Sequence, residues 1–158
     1  MASWAEFAAA EPALASRVAD RFAIRKHKTL ATLRKDGSPR ISGIEVEFGN
    51  GELYVGMMPG SRKLSDLQRD SRLALHSPTE DPPEGHPAGW PGEAKISGRG
   101  VPVDAADSIQ GARFRIDIGE VVLTHLNDAG DRLVVESWRP GQSRRRIERR
   151  YRFNQVFN

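Results

Sequence analysis

The sequence predicts a mainly β domain with short helices, in the α+β class, built as a small closed barrel of six or seven antiparallel strands. Three observations point there. From Lys28 onward apolar residues recur at every second position, the period of a half-buried strand. Turn chemistry separates these runs at hairpin spacing, at Asp36-Gly37, Gly49-Asn50-Gly51 and Asn127-Asp128-Ala129-Gly130. The runs are also short and numerous, and closing them into a barrel leaves no long exposed edge.

The first 24 residues are helical in pattern. Trp4, Phe7 and Ala8 share one face of a short helix that Ser3 is placed to cap. Pro12 opens a second helix, on which Leu14, Val18 and Phe22 recur every four residues. Both stripes are suited to packing on a sheet. Thr29–Leu33 then leads into the Asp36-Gly37 turn, and Pro39 admits a second strand. There Ile44, Val46 and Phe48 alternate with Glu45 and Glu47. The run Leu53–Met58 follows, and these three strands read as an antiparallel meander. Leu64 and Leu67 mark a short helix and Arg72–Ser77 a fourth strand. Between Pro78 and Gly92 stand five prolines and three glycines, a loop suited to covering a cleft or meeting a partner, with Trp90 as its anchor or as a lid. Strand character resumes over 93–103, a short helix is expected from Asp104 to about Gln110, and strands follow at 114–118 continuing through 121–123 and at 132–138. There is no internal repeat.

At 158 residues the chain suits one domain. A helical segment at 1–24 packs on a barrel spanning 25–138, and an Arg-rich arm occupies 139–158. The absence of cysteine excludes disulfides, thiolate metal sites and a cysteine nucleophile, and suits a reducing cytosol. The apolar stretches are too short to span a membrane and the N-terminus is not signal-like, so a cytoplasmic protein is the default expectation. The net charge of +3 is unevenly distributed. Residues 139–158 hold seven arginines and one acid, and the other 138 residues carry 17 basic against 20 acidic side chains. Such a block suits a polyanion, a subunit contact or a solvated arm. No recognition motif or aromatic-basic face accompanies it, which argues against nucleic acid as the partner.

The chemistry-bearing motif is Gly60-Ser61-Arg62-Lys63, placed where a strand hands over to a helix. Unpaired backbone N–H groups at a helix start, a hydroxyl and two cations in one turn would hold an anion, a phosphate above all. The alternative is an ordinary Ser-capped surface helix with two solvated basic residues. Nothing else is catalytic in pattern. The four histidines (27, 76, 86 and 125) have no metal-ligand spacing, Ser61 and Ser97 have no nucleophile setting, and no Walker loop or dinucleotide fingerprint is present. No metal site and no acid–base residue is assigned. Difficult chemistry here would have to be carried by a cofactor.

The order of motifs resembles a known family. Ala31–Arg40, the strand pair after it and Gly60–Lys63 with its helix are similar to the pyridoxamine 5′-phosphate oxidase-like flavoproteins, well over residues 25–77 and more loosely over 93–138. The resemblance implies a split β-barrel, a homodimer with cofactor sites at the subunit interface, FMN as cofactor, and oxidoreductase activity on a small-molecule substrate. Carried over by position, Arg40 would help hold the flavin phosphate and Ile41-Ser42-Gly43-Ile44 would pass along the ring. Gly56 and Met57 would line the cofactor, and Ser61, Arg62 and Lys63 would form the phosphate turn. Glu93 falls near a ring-contacting position of the partner chain. The oxidases proper end in a segment with a tryptophan and an arginine–histidine pair. Here Trp138-Arg139-Pro140-Gly141 is followed by arginines, and no histidine follows His125. The chain is closer to the short actinobacterial members, some of which use the deazaflavin coenzyme F-420, whose polyglutamate tail an arginine-rich arm would suit. A flavin- or haem-binding carrier or sensor without turnover, or a basic-tailed nucleic-acid or polyanion binder, would be the alternatives.

Overall fold

The computed structural model describes residues 1–103 and 111–150. Its elements, in chain order, are α1 (Trp4–Ala10), α2 (Pro12–Ala23), β1 (His27–Leu33), β2 (Pro39–Gly49), β3 (Glu52–Met57), α3 (Arg62–Arg69), β4 (Arg72–His76), β5 (Glu93–Val103), β6 (Ala112–Leu126), β7 (Arg132–Trp138) and β8 (Arg145–Arg150). A single turn of 3-10 helix lies in the Pro-rich loop at Pro87–Gly89. The helix expected over 104–110 lies outside the described residues.

Each β pairing is antiparallel, in the order β3-β2-β1-β4-β5-β6-β7-β8. Pairing of β3 with β6, Tyr54 opposite Arg115 and Met57 opposite Ala112, closes the first six strands into a barrel. The remaining two strands extend from it. The long β6 makes this possible, because its first residues pair with β3 and its last, Val121–Leu126, with β7. Opposite Ser97/Gly98 a bulge leaves Gly119 of β6 unpaired in the ladder and bends that strand. Only glycine fits at 98, where a Cβ would lie 2.0 Å from the Asp117 carbonyl oxygen. The strand expected at 114–118 and continuing through 121–123 is β6, which is longer at both ends than expected. The chain after Gly141, expected to be an arm, contains the strand β8. Its backbone pairs with β7, Ser137 opposite Arg145 through Arg132 opposite Arg150.

Helices close both ends of the barrel. At one end Ser3 and Glu6 form a capping box, and Pro12 stands at the first turn of α2. Phe7, Leu14, Val18 and Phe22 are buried to 1% exposure or less, each worth about 1.5–3 kcal/mol of transfer free energy. Trp4 and Phe22 meet Phe48 at the far end of β2, and Phe7 meets Trp138. At the other end α3 buries Leu64 and Leu67 against the barrel. The Pro-rich loop is pinned away from α3. Trp90 Nε1 donates to the Glu80 carbonyl at 2.8 Å, Glu80 pairs with Arg21 of α2 at 3.2 Å, and Ala88 abuts Gly130 of the β6–β7 turn. Among the described residues no helix is long and apolar enough to cross a membrane.

Candidate functional site

The start of α3 differs from an ordinary capped helix. Gly60 takes a positive φ of 72°, a turn that glycine adopts without strain, and delivers Ser61 to the N-cap position. Ser61 has the extended backbone of a cap, yet its side chain makes no capping bond. The Ser61 Oγ atom is buried and has no hydrogen-bond partner, a cost that native structures rarely leave unmet without a ligand or water. Arg62, next in the chain, is exposed and makes no ion pair among the described residues. Lys63 reaches back to β2, where its Nζ donates to the Gly43 carbonyl at 2.6 Å.

Arg40 arrives at the same place from the start of β2. Its Nε donates to Oδ2 of Asp66 at 2.6 Å. Asp66 lies in α3, is 3% exposed, and also accepts from Thr32 Oγ1 at 2.9 Å and from Arg69 at 3.0 Å. Burial pushes the Asp66 carboxyl up, but the hydrogen bonds from Arg40, Arg69 and Thr32 outweigh it and hold it at about 2. The carboxylate therefore stays charged and orients two guanidinium groups at the mouth of the barrel. Arg69 also donates to the Leu33 carbonyl, which ties α3 to the β1–β2 hairpin. Together these elements bound an open concavity of about 640 Å³. Its cations are Arg34, Lys35, Arg40, Arg62 and Arg69, and its acids are Asp36 and Asp66.

Strand alternation sorts the other sequence-predicted residues. Gly43 and Gly56 lie on the outer face of the barrel, both exposed, and a Cβ at either would meet nothing within 4 Å. Ile41 shares that face and is 75% exposed, as is Met58 at 76%. Ser42 has the opposite parity and pairs with buried Leu30. Met57 is 4% exposed and its side chain belongs to the core, so only its backbone is available to a ligand from outside. Glu93 opens β5, where it pairs with Lys95 at 3.2 Å and His76 at 3.6 Å and makes no contact with the α3 turn. Arg40 and Arg62, 22 positions apart in sequence, are thus brought to one cavity, while Glu93 is not. Sequence reasoning missed Thr32, Asp66 and Arg69. Each is an unremarkable polar residue until the strand and helix meet, and only the position of Asp66 beside Leu67 on the buried face hinted at it.

The C-terminal arginines have their own anchor, at the opposite side of the sheet. Glu136 of β7 is 2% exposed and accepts from Arg17 of α2 at 2.7 Å. Arg144 and Arg146 approach its other oxygen at 3.4 and 3.7 Å, and His125 lies 3.2 Å away. Burial raises the Glu136 carboxyl, and Arg17 followed by His125 and Arg144 brings it net below its ordinary value. Within one chain the arm is therefore five strands from β1, not beside the α3 turn.

Comparison with solved structures places this architecture. The chain superposes on a pyridoxamine 5′-phosphate oxidase-related, FMN-binding protein from Nostoc punctiforme PCC 73102 with a TM-score of 0.62, over 96% of this chain and 98% of that one, at 11% identity. The fold is the split barrel of those proteins. PhzG from Burkholderia lata 383, solved with tetrahydrophenazine-1-carboxylic acid, shares the split barrel at a TM-score of 0.62 over 94% and 93% of the two chains, at 12% identity. So does HutZ, the haem storage protein of Vibrio cholerae, at a TM-score of 0.52 over 69% and 89%, also at 12% identity. At these identities the likeness is one of fold. No family model matches the sequence, and no curated protein matches it.

Proposed function

We propose that this split barrel binds FMN, or a deazaflavin such as coenzyme F-420, and serves as an oxidoreductase that moves hydride to or from a small organic substrate. The observation that carries this reading is the buried, unpartnered Ser61 hydroxyl at the start of α3, next in the chain to Arg62, whose side chain lines the same concavity as that of Arg40. That set of donors fits a phosphate: a hydroxyl, helix N–H groups and two cations, one of them held in place by Asp66. The adjoining outer face fits a flat ring, because Gly43 and Gly56 leave it open and Ile41 and Met58 flank it with apolar surface. Lys63, bonded to the Gly43 carbonyl, holds the strand that carries this face.

A bound flavin or deazaflavin supplies two-electron chemistry. The protein's share is to bind, orient and dry the site; no described side chain is assigned as an acid or base. We place two copies of the chain in the working unit. Across β2, β1, β4 and β5 the outer face carries Ile41, Ala31, Ala74 and Ser97 in one cross-strand row, and the exposed apolar Ile41 beside three small side chains suits close packing by a second barrel.

The test is a fluorescence titration of the protein with FMN and with the deazaflavin, side by side. Replacing both Arg62 and Lys63 by alanine should weaken the ligand that binds by about 10- to 100-fold, the loss of one to two charge-assisted contacts. An unchanged affinity in that variant removes the phosphate site. Stopped-flow reduction of the bound cofactor by candidate substrates then separates an enzyme from a carrier. A Soret band on adding haemin, with no flavin bound, would replace the flavin by haem.

A further inference from the structure

The concavity beside α3 holds more positive charge than one phosphate needs. Its five cations face two carboxylates, a surplus of three charges. A phosphate monoester brings about −1.5 to −2 at neutral pH. Arg40 and Arg69 are already committed to Asp66. Arg34 and Lys35, on the β1–β2 hairpin, make no side-chain hydrogen bond or ion pair among the described residues. The one acid next to them, Asp36, is exposed on the same turn and is engaged by Ser38, whose backbone and hydroxyl donate to its Oδ1 at 3.0 and 2.7 Å; it acts on Arg34 only through space, without a hydrogen bond or ion pair. Two cations are thus presented side by side on a hydrogen-bonded hairpin turn, on the wall of the same cavity as Arg62, with no internal counter-charge bonded to them.

We infer that the hairpin is a second anion subsite. On this inference, which rests on the flavin reading above, the natural cofactor carries a further anionic group beyond its ring-proximal phosphate, and that group is held by Arg34 and Lys35. The shared chemistry is an extended dianionic side chain, whether a diphosphate or a phosphate followed by carboxylates. This separates the hairpin from the C-terminal arginines, two of which are occupied by Glu136 on the far side of the sheet. Both hairpin groups are solvent-exposed, so each contact is worth about 0.2–1 kcal/mol, and the pair amounts to about a two- to thirtyfold gain in affinity.

Four probes test it on the full-length protein at low salt: FMN, FAD, the deazaflavin with its oligoglutamate tail, and the same deazaflavin trimmed of that tail. Either FAD should bind several-fold more tightly than FMN, identifying a diphosphate, or the tailed deazaflavin should exceed the trimmed one, identifying carboxylates. The double variant Arg34→Gln, Lys35→Gln should abolish that advantage while leaving the affinity for FMN or for the trimmed deazaflavin within about twofold. Equal affinities within both pairs overturn the second subsite and leave the phosphate site standing. So does an advantage that survives in the double variant. Binding of none of the four overturns the flavin reading and the inference together. These exposed substitutions lie in a turn whose geometry is set by Asp36, Gly37 and Ser38, so the fold is not at stake, which a thermal melt of the variant confirms.

Discussion

Asp66 shows how much one residue can set. It is a carboxylate in a nearly dry position, and its ionised form exists there because three donors converge on it. Replacing it by asparagine removes the charge but leaves Arg40 and Arg69 beside it. The expected cost is about 2–4 kcal/mol of stability, measured by urea unfolding at neutral pH. The pH dependence has a definite sign. The folded carboxyl titrates at about 2, against an ordinary 3.8, so its contribution is complete above about pH 4 and is lost as the pH falls toward 2. The stability gap between the native protein and Asp66→Asn should therefore narrow over pH 4 to 2. A gap constant across that range would show that the three hydrogen bonds do not stabilise the ionised form. Because Asp66 also aims Arg40, the variant should bind FMN more weakly, whereas Ser61→Ala should weaken binding with little loss of stability, since that hydroxyl has no internal partner to lose.

Among the elements, β8 is the one whose existence depends most on its neighbour. Its six residues are exposed on both faces, and only Ile147 is apolar. What holds it is the backbone ladder with β7 together with Arg144 and Arg146 at Glu136. Glu136→Leu keeps the bulk and removes the charge, stranding Arg17 and the two arginines of the C-terminal segment. It should destabilise the protein by about 1–3 kcal/mol and raise hydrogen exchange in β8 before the rest of the sheet. Deleting residues 140–158 should expose the edge of β7, and because Leu133 and Val135 are only half-buried there, the truncated protein should aggregate at lower temperature in light scattering. Retained solubility after that deletion would mean that β8 does not guard the edge. Its arginines also suit the edge position, since charged side chains discourage pairing with further strands.

For the whole molecule the question is assembly. The cross-strand row Ile41, Ala31, Ala74, Ser97 and the exposed glycines Gly43 and Gly56 lie on one outer face, so a cofactor bound there and a second copy of the chain would share it. Ala74→Arg puts a long cation in the middle of that row while Leu73 and Leu75 keep the core. Light scattering should give a mass near twice 17.5 kDa for the native protein and one copy for the variant. The variant should also lose flavin affinity, by tenfold or so if half the site comes from the other subunit. A monomer that binds flavin as tightly as the native protein would place the whole site within one chain.

Local chemistry made much of the architecture legible. Period-two alternation, the Asp36-Gly37 and Asn50-Gly51 turns, Ser3 and Pro12 at helix starts, and Pro59-Gly60 before α3 act over a few residues. The seven strands β1–β7 and three helices could therefore be read directly. The Gly60–Lys63 turn was equally legible, because its residues are consecutive. What the sequence could not determine were features made by residues that meet only after folding. Antiparallel register brings Arg40 to Thr32, and helix packing then lays Asp66 over both, from 26 and 34 positions away. A bulge in the β5–β6 pairing and the presence of β7, which turns an arginine-rich tail into β8, are likewise products of pairing. Strand parity buries Met57 and exposes Gly56 beside it. Periodicity is a short-range signal carried by each segment alone, whereas a buried carboxylate or a basic cavity is a property of several segments at once, and only the closed barrel brings those segments together.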